Sequence, residues 1–183
     1  AKLAALGIDK VRVEIDAEEV PILDGSAADF VEALDQAGIE AQAAKRRYIR
    51  VLKPVRIENG ASWAEFRPYD GTRFEVEIEF ESPAIGRQRF AGDIDADVFR
   101  RDIARARTFG FLKEVEMLRQ RGLALGGSLD NAIVLGETGV LNNALRFEDE
   151  FARHKAMDAV GDLALLGHPL IGRLEATKAG HAL

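Results

Sequence analysis

At 183 residues, with 47% apolar and 31% charged residues, the chain has the make-up of one ordinary globular domain, or of one domain plus part of another. A formal net charge of −6 and no basic run longer than Lys45-Arg46-Arg47 exclude the electrostatic footprint of a nucleic-acid binder. The lack of cysteine excludes disulfides and thiolate chemistry, which suits a cytoplasmic protein, and no apolar stretch is long enough for a transmembrane segment.

In chain order, residues 1–6 read as the tail of an apolar helix closed by Gly7, whose start is expected upstream of Ala1. Val11, Val13 and Ile15 alternate with charged residues, which predicts a half-buried strand over 11–16. Ser26 followed by Asp29 is a capping-box-like start for a helix that turns Phe30, Val31 and Leu34 inward and stops at Gly38. Residues 39–47 lack a clear period and form the candidate linker.

From Tyr48 the pattern changes to hairpins. One extended segment is expected over 48–58, a turn at Asn59-Gly60, a return over 62–67 and a further turn at Asp70-Gly71. Residues 73–80 alternate strictly, with Phe74, Val76, Ile78 and Phe80 on one face and Arg73, Glu75, Glu77 and Glu79 on the other. That predicts a sheet with one wet face and a solvated acidic stripe. A strand near 87–94, helices over 96–106 and 113–121, a buried strand in 131–135, a helix over 149–166 and a last strand near 170–177 complete the chain. Strands first and helices later predict an α+β fold rather than a doubly wound sheet.

The chemistry is concentrated in L-R-F-E-D-E-F-A-R-H-K-A-M-D-A-V-G-D-L. It sets His154 and Asp158 four residues apart, on one helix face with Cβ atoms about 5–6 Å apart. An imidazole nitrogen and a carboxylate oxygen so placed can hold two corners of a zinc site, leaving others for a third protein ligand and water. The same spacing also suits a solvated i,i+4 ion pair. His154, His168 and His181 all fall in the last thirty residues, and Asp162 continues the carboxylates by one turn. There it can orient either His181 or His168.

Further stretches stand in order around that helix: V-P-I-L-D-G-S-A-A-D-F-V, R-A-R-T-F-G-F, G-G-S-L-D-N-A-I-V, G-H-P-L-I-G and G-H-A-L, running from residue 20 to the end. With these motifs the sequence closely resembles the UDP-3-O-acyl-N-acetylglucosamine deacetylase family, the zinc amidases that commit bacterial lipid A synthesis. The resemblance implies two similar two-layer α/β sandwich halves, each a sheet packed on two helices, with the active site between them. Residues 1–45 are then the last part of an incomplete first half and 46–183 most of the second, with a strand-helix-strand acyl-tunnel insert near 109–134.

The resemblance further implies His154 and Asp158 as zinc ligands, Thr108 as the hydroxyl that supports the oxyanion, His181 as the histidine of the closing motif and Asp162 as its carboxylate partner. Lys155, a surface lysine on its own spacing, becomes an ammonium that reaches a diphosphate or a developing negative charge. Phe109, Leu112, Val115, Ala124, Leu129 and Val134, otherwise ordinary core residues, become the lining of the acyl slot.

The implied reaction is hydrolysis of the acetamide of a UDP-sugar acyl substrate. It needs a Lewis acid, a base and donors for the oxyanion, with His181 and Asp162 supporting departure of the amine. In the family the third zinc ligand and the glutamate base lie immediately upstream of where Ala1 begins. The missing N-terminal half is therefore an expected partner, and the isolated chain is expected to be inactive. Zinc rests on the resemblance, because His and carboxylate ligands also suit iron. The rival reading is a stable, non-catalytic domain that binds metal weakly or not at all; a histidine preceded by glutamate upstream of Ala1 discriminates the two.

Overall fold

The strict alternation after Gly71 becomes β4 (Thr72–Glu79) of a computed structural model that describes residues 1–17, 20–114, 117, 131–137, 139–142, 144–181 and 183. The other strands are β1 (Ile49–Arg50), β2 (Val55–Asn59), β3 (Ser62–Arg67), β5 (Arg87–Asp93), β6 (Phe109–Phe111), β7 (Ile133–Leu135) and β8 (Leu170–Thr177). The helices are α1 (Lys2–Ala5), α2 (Ala28–Ala37), α3 (Ala96–Val98) and α4 (Glu150–Ala164), with a π-helical turn at Phe99–Ile103. The fold is α+β, a sheet packed against helices.

The main sheet runs β2-β3-β8-β4-β5, with β1 pairing parallel to the start of β8. Its last strand in sequence therefore lies inside the sheet, antiparallel to β3 and parallel to β4. Phe74, Val76 and Ile78 are at most 4% exposed. Val76 and Ile78 share a core with Phe99, Ile103, Phe151, Ala156 and Met157, so the inner face of β4 is what docks α4. Each large side chain buried there stabilises the fold by about 1.5–3 kcal/mol. A second, two-stranded parallel sheet pairs β6 with β7 and buries Ile133 and Leu135 in the same core.

The outer face differs from a solvated acidic stripe. Glu75 is only 7% exposed. It accepts from Arg73 at 2.9 Å and from Arg89, and pairs with Arg173 at 3.2 Å. Burial pushes its carboxyl up, but these arginines more than offset that and hold it below the usual glutamate value. Glu65, 6% exposed, is likewise held by Arg56 and Arg67. Long arginine side chains across neighbouring strands cover the acids, a cross-strand effect that alternation within one strand does not report.

Several local expectations are corrected. Residues 11–16 form no strand, and Val11, Val13 and Ile15 are 48%, 59% and 51% exposed; alternation suits a strand, but a strand requires a neighbour to bond. The extended segment 48–58 is split into β1 and β2 around Leu52-Lys53-Pro54, where Pro54 lacks the N–H a ladder needs. The β2–β3 loop is Gly60-Ala61, since Asn59 still pairs with Ser62. The helix expected over 96–106 is one α turn followed by the π turn, closed by Ala104 N–H donating to Phe99 O at 2.7 Å. In the helix expected over 113–121, Lys113 and Glu114 are helical and most of the rest lies outside the described residues. α2 starts one residue later than a Ser26 cap would set it: Ala27 is the N-cap and carries no side-chain cap bond, while the Ser26 hydroxyl accepts from the Ala28 N–H at 3.1 Å and donates to Asp24 at 2.7 Å instead of closing a capping box with Asp29.

Candidate active site

Glu150, His154, Asp158 and Asp162 recur every four residues along α4. On a helix of 3.6 residues per turn, that step keeps them in one slowly drifting stripe. Phe151, Ala152, Ala156 and Met157 fasten the helix to the core beside it.

His154 is largely buried, and its Nδ1 lies 3.0 Å from the Ala106 carbonyl oxygen. A carbonyl only accepts, so this bond places the ring hydrogen on Nδ1. Burial lowers the pKa of the imidazole more than the Asp158 charge and the Ala106 bond raise it, so the ring is neutral near pH 7 and Nε2 keeps its lone pair. Nε2 stands 3.5 Å from Asp158 Oδ1. The other oxygen, Oδ2, accepts from Lys155 Nζ at 2.9 Å.

Two ligands of a tetrahedral ion with bonds of about 2.0–2.1 Å are about 3.3–3.4 Å apart, so the His154–Asp158 separation fits two corners of such a site. Neutral imidazole and carboxylate are also the right donors for zinc. Among the described residues, no group of three or more His, Asp or Glu is assembled around a common point.

His181 lies at the open side of the pair. Its Nδ1 is 2.9 Å from Asp162 Oδ2, and its Nε2 is 4.0 Å from Asp158 Oδ2. Asp162 is thus engaged by His181, whereas His168 lines a groove of about 500 Å³ with Arg46, Tyr48, Leu163 and Pro169. The start of α1 also approaches the stripe. A Cβ on Gly161 would lie 3.3 Å from the Ala1 nitrogen, which is close enough to Asp158 and Asp162 to feel both charges.

Thr108 is held by its backbone. Its N–H donates to Gly25 O at 2.8 Å and its carbonyl accepts from Ile133 N–H at 2.8 Å. Phe109 follows, with its ring 4.8 Å from Phe151 and 6.4 Å from the His154 ring, both edge-on. The Lys155 ammonium is 5.6 Å from the same phenyl ring.

The UDP-3-O-acyl N-acetylglycosamine deacetylase (LpxC) family model matches residues 1–183. The chain belongs to that family. Proteins named UDP-3-O-acyl-N-acetylglucosamine deacetylase from Brucella ovis, Brucella canis and Brucella abortus are each 60% identical over 185 aligned residues. The alignments cover all of this chain and 65% of each relative. The chain therefore spans just under two thirds of the length of the curated relatives it matches.

Of the residues singled out in this deacetylase-family sequence, His154, Asp158, Lys155, Asp162 and His181 come together along one side of α4, and Phe109 packs against His154. Val134 is 5% exposed inside β7 and Leu112 is 38% exposed. Val115, Ala124 and Leu129 lie outside the described residues. The sequence reading missed Arg107 and Glu150, which form a buried ion pair one turn before His154. A signal was present: Glu150 precedes His154 by the same four-residue step that separates His154 from Asp158.

Proposed function

We propose that this chain is the larger part of a zinc-dependent deacetylase that hydrolyses the acetamide of UDP-3-O-acyl-N-acetylglucosamine in lipid A biosynthesis, acting in the cytoplasm. The observation that carries the reading is His154 Nε2 facing Asp158 Oδ1 at 3.5 Å, in a chain that belongs to a deacetylase family throughout. His154 and Asp158 would hold the metal. Zinc bound there supplies a Lewis acid for the amide carbonyl and acidifies water.

The chain's own residues orient and move protons around that pair. The Ala106 carbonyl holds the His154 ring, and Lys155 holds one oxygen of Asp158 while keeping N–H donors for an anionic group of the substrate. Thr108 donates its hydroxyl to the oxyanion. His181, anchored through Nδ1 on Asp162, carries a proton on Nε2 to the departing amine. The acyl chain occupies a slot beside 109–134, with Phe109 and Leu112 at its described end.

The third metal ligand and the general base come from residues that precede Ala1 in a whole protein. This is supported by the approach of the Ala1 nitrogen to α4 at Gly161, within reach of the Asp158 and Asp162 charges. Residues 1–45 then complete a first half, and the active site lies between it and 46–183.

The test compares a whole protein of the relatives' length with the 183-residue chain. His154→Ala and Asp158→Ala should each abolish deacetylation of the UDP-sugar by the whole protein, and the chain alone should be inactive and bind Zn²⁺ weakly. Normal turnover by the chain alone would show that the base and third ligand are misplaced here. Full activity after His154→Ala would remove the metal assignment.

A further inference from the structure

Among the charged groups of the described residues that this reaction does not use, Arg107 and Glu150 form a pair enclosed by protein. Glu150 is 0% and Arg107 5% exposed. Oε1 of Glu150 accepts from the backbone N–H of Arg107 at 3.0 Å and from its Nε at 2.9 Å. Oε2 accepts from Arg107 Nη2 at 3.1 Å and from the backbone N–H of Arg146 at 2.6 Å. Arg107 Nη2 also donates to the Ala144 carbonyl at 2.8 Å, and Arg146 donates to the Arg105 carbonyl at 3.0 Å.

A buried ion pair is seldom more stabilising than apolar side chains of the same volume, because desolvation of both charges offsets their attraction. What a guanidinium fork on a carboxylate does supply is direction. Here it fixes residues 106–108. The carbonyl just before Arg107 is the one that meets His154 Nδ1, and the residue just after it is Thr108, pinned between Gly25 and Ile133. Glu150 sits one helical turn before His154 on α4. The bridge thus ties the segment to the helix at the level where the preceding carbonyl, that of Ala106, reaches the imidazole.

We propose that Arg107 and Glu150 are positioning residues that, through the Ala106 carbonyl, hold His154 in the tautomer with Nε2 open towards Asp158. The donor pair is then set before any metal arrives. This role rests on reading His154 and Asp158 as metal ligands, but it is measurable without metal.

Nitrogen-15 NMR of the His154 ring in the metal-free 183-residue chain reads the tautomer. Wild type should carry its hydrogen on Nδ1; a ring protonated mainly on Nε2 overturns the role whatever the variants do. Glu150→Gln turns one acceptor into a donor facing N–H groups, and the double variant Arg107→Met/Glu150→Met replaces the pair with apolar side chains. Both should populate the Nε2-protonated form. In the whole protein, Zn²⁺ affinity measured by competition with a chromophoric chelator should fall about tenfold or more, as for other lost outer partners of a ligand histidine.

A double variant that melts near wild type yet loses the tautomer preference separates positioning from simple stabilisation. A folded variant of either kind with wild-type tautomer and Zn²⁺ affinity overturns the role; if the double variant does not fold, Glu150→Gln decides. A wild-type affinity no better than that of Asp158→Asn overturns the metal reading alone, because the tautomer still decides the role of Arg107 and Glu150.

Discussion

Arg107 and Glu150, 43 residues apart in sequence, share three hydrogen bonds inside the protein, one of them from the Arg107 backbone. The pair couples a loop to the helix that carries His154, so its loss has consequences for stability as well as for the site. Arg107→Ala leaves the Glu150 carboxylate buried without its countercharge and should cost about 3–5 kcal/mol. Arg107→Met/Glu150→Met should recover most of that, as urea unfolding of the three proteins will check.

The same pair gives a pH dependence. Burial pushes the Glu150 carboxyl up, but hydrogen bonds from Arg107 and from the Arg146 backbone, with the Arg107 charge, leave it below its usual value. The unfolded chain therefore holds this proton more tightly than the folded one. The contribution is fully present above the unfolded value of about 4.3 and is lost as pH falls through the folded value. Thermal midpoints of wild type and Glu150→Gln should converge as the pH drops below about 4; midpoints that stay parallel down to pH 2 would contradict the depressed carboxyl.

Gly25 should tolerate no side chain. Its φ is +82°, and an added Cβ would stand 2.1 Å from the Asn131 carbonyl oxygen, which is backbone and cannot swing aside. The left-handed conformation alone costs a non-glycine residue about 1–3 kcal/mol, and the collision adds to it. Gly25→Ala should lower stability by at least that much. In the whole protein it should also reduce turnover, because the Gly25 carbonyl holds the Thr108 N–H.

His181→Ala in the whole protein should lower kcat by about 10²–10⁴, the range for a lost general acid, while Zn²⁺ affinity stays near wild type. Thr108→Val should cost about 10²–10³ in kcat, as for one lost oxyanion donor. Steady-state kinetics on metal-loaded protein separates these from effects on KM, and unchanged turnover in either variant would withdraw that residue's assigned role.

Gly161 lets α1 approach α4, with the Ala1 nitrogen 3.3 Å and the Ala1 Cβ 3.4 Å from where its own Cβ would be. Gly161→Ala asks the end of α1 to give by only a few tenths of an ångström, and helix propensity returns about 0.8–1 kcal/mol, so stability should change little. Gly161→Leu should force the helices apart and weaken Zn²⁺ binding in the whole protein. Chelator competition showing wild-type affinity for the leucine variant would argue against a metal ligand arriving through α1.

Periodic and local features were legible in the sequence by itself. The four-residue step that puts His154 and Asp158 on one face, the last strand over 170–177, the inward row Phe74, Val76 and Ile78, and the end of α2 at Gly38 all follow from bonds and spacings within a few residues. Tertiary structure decided whatever depends on a distant neighbour. Spacing alone left Asp162 to either His168 or His181; the path of the chain beyond β8 brings His181, 19 residues away, to its carboxylate. Alternation left Glu75 in solvent, and the register of β4 against β5 and β8 buried it beneath Arg89 and Arg173. Residues 11–16 had the pattern of a strand, but among the described residues none pairs with them. Arg107 meets Glu150 only because the turn after Ile103 lays residues 105–108 along α4. A side chain's type and period are written in the sequence, but the atom it faces is set by the packing of elements far apart along the chain.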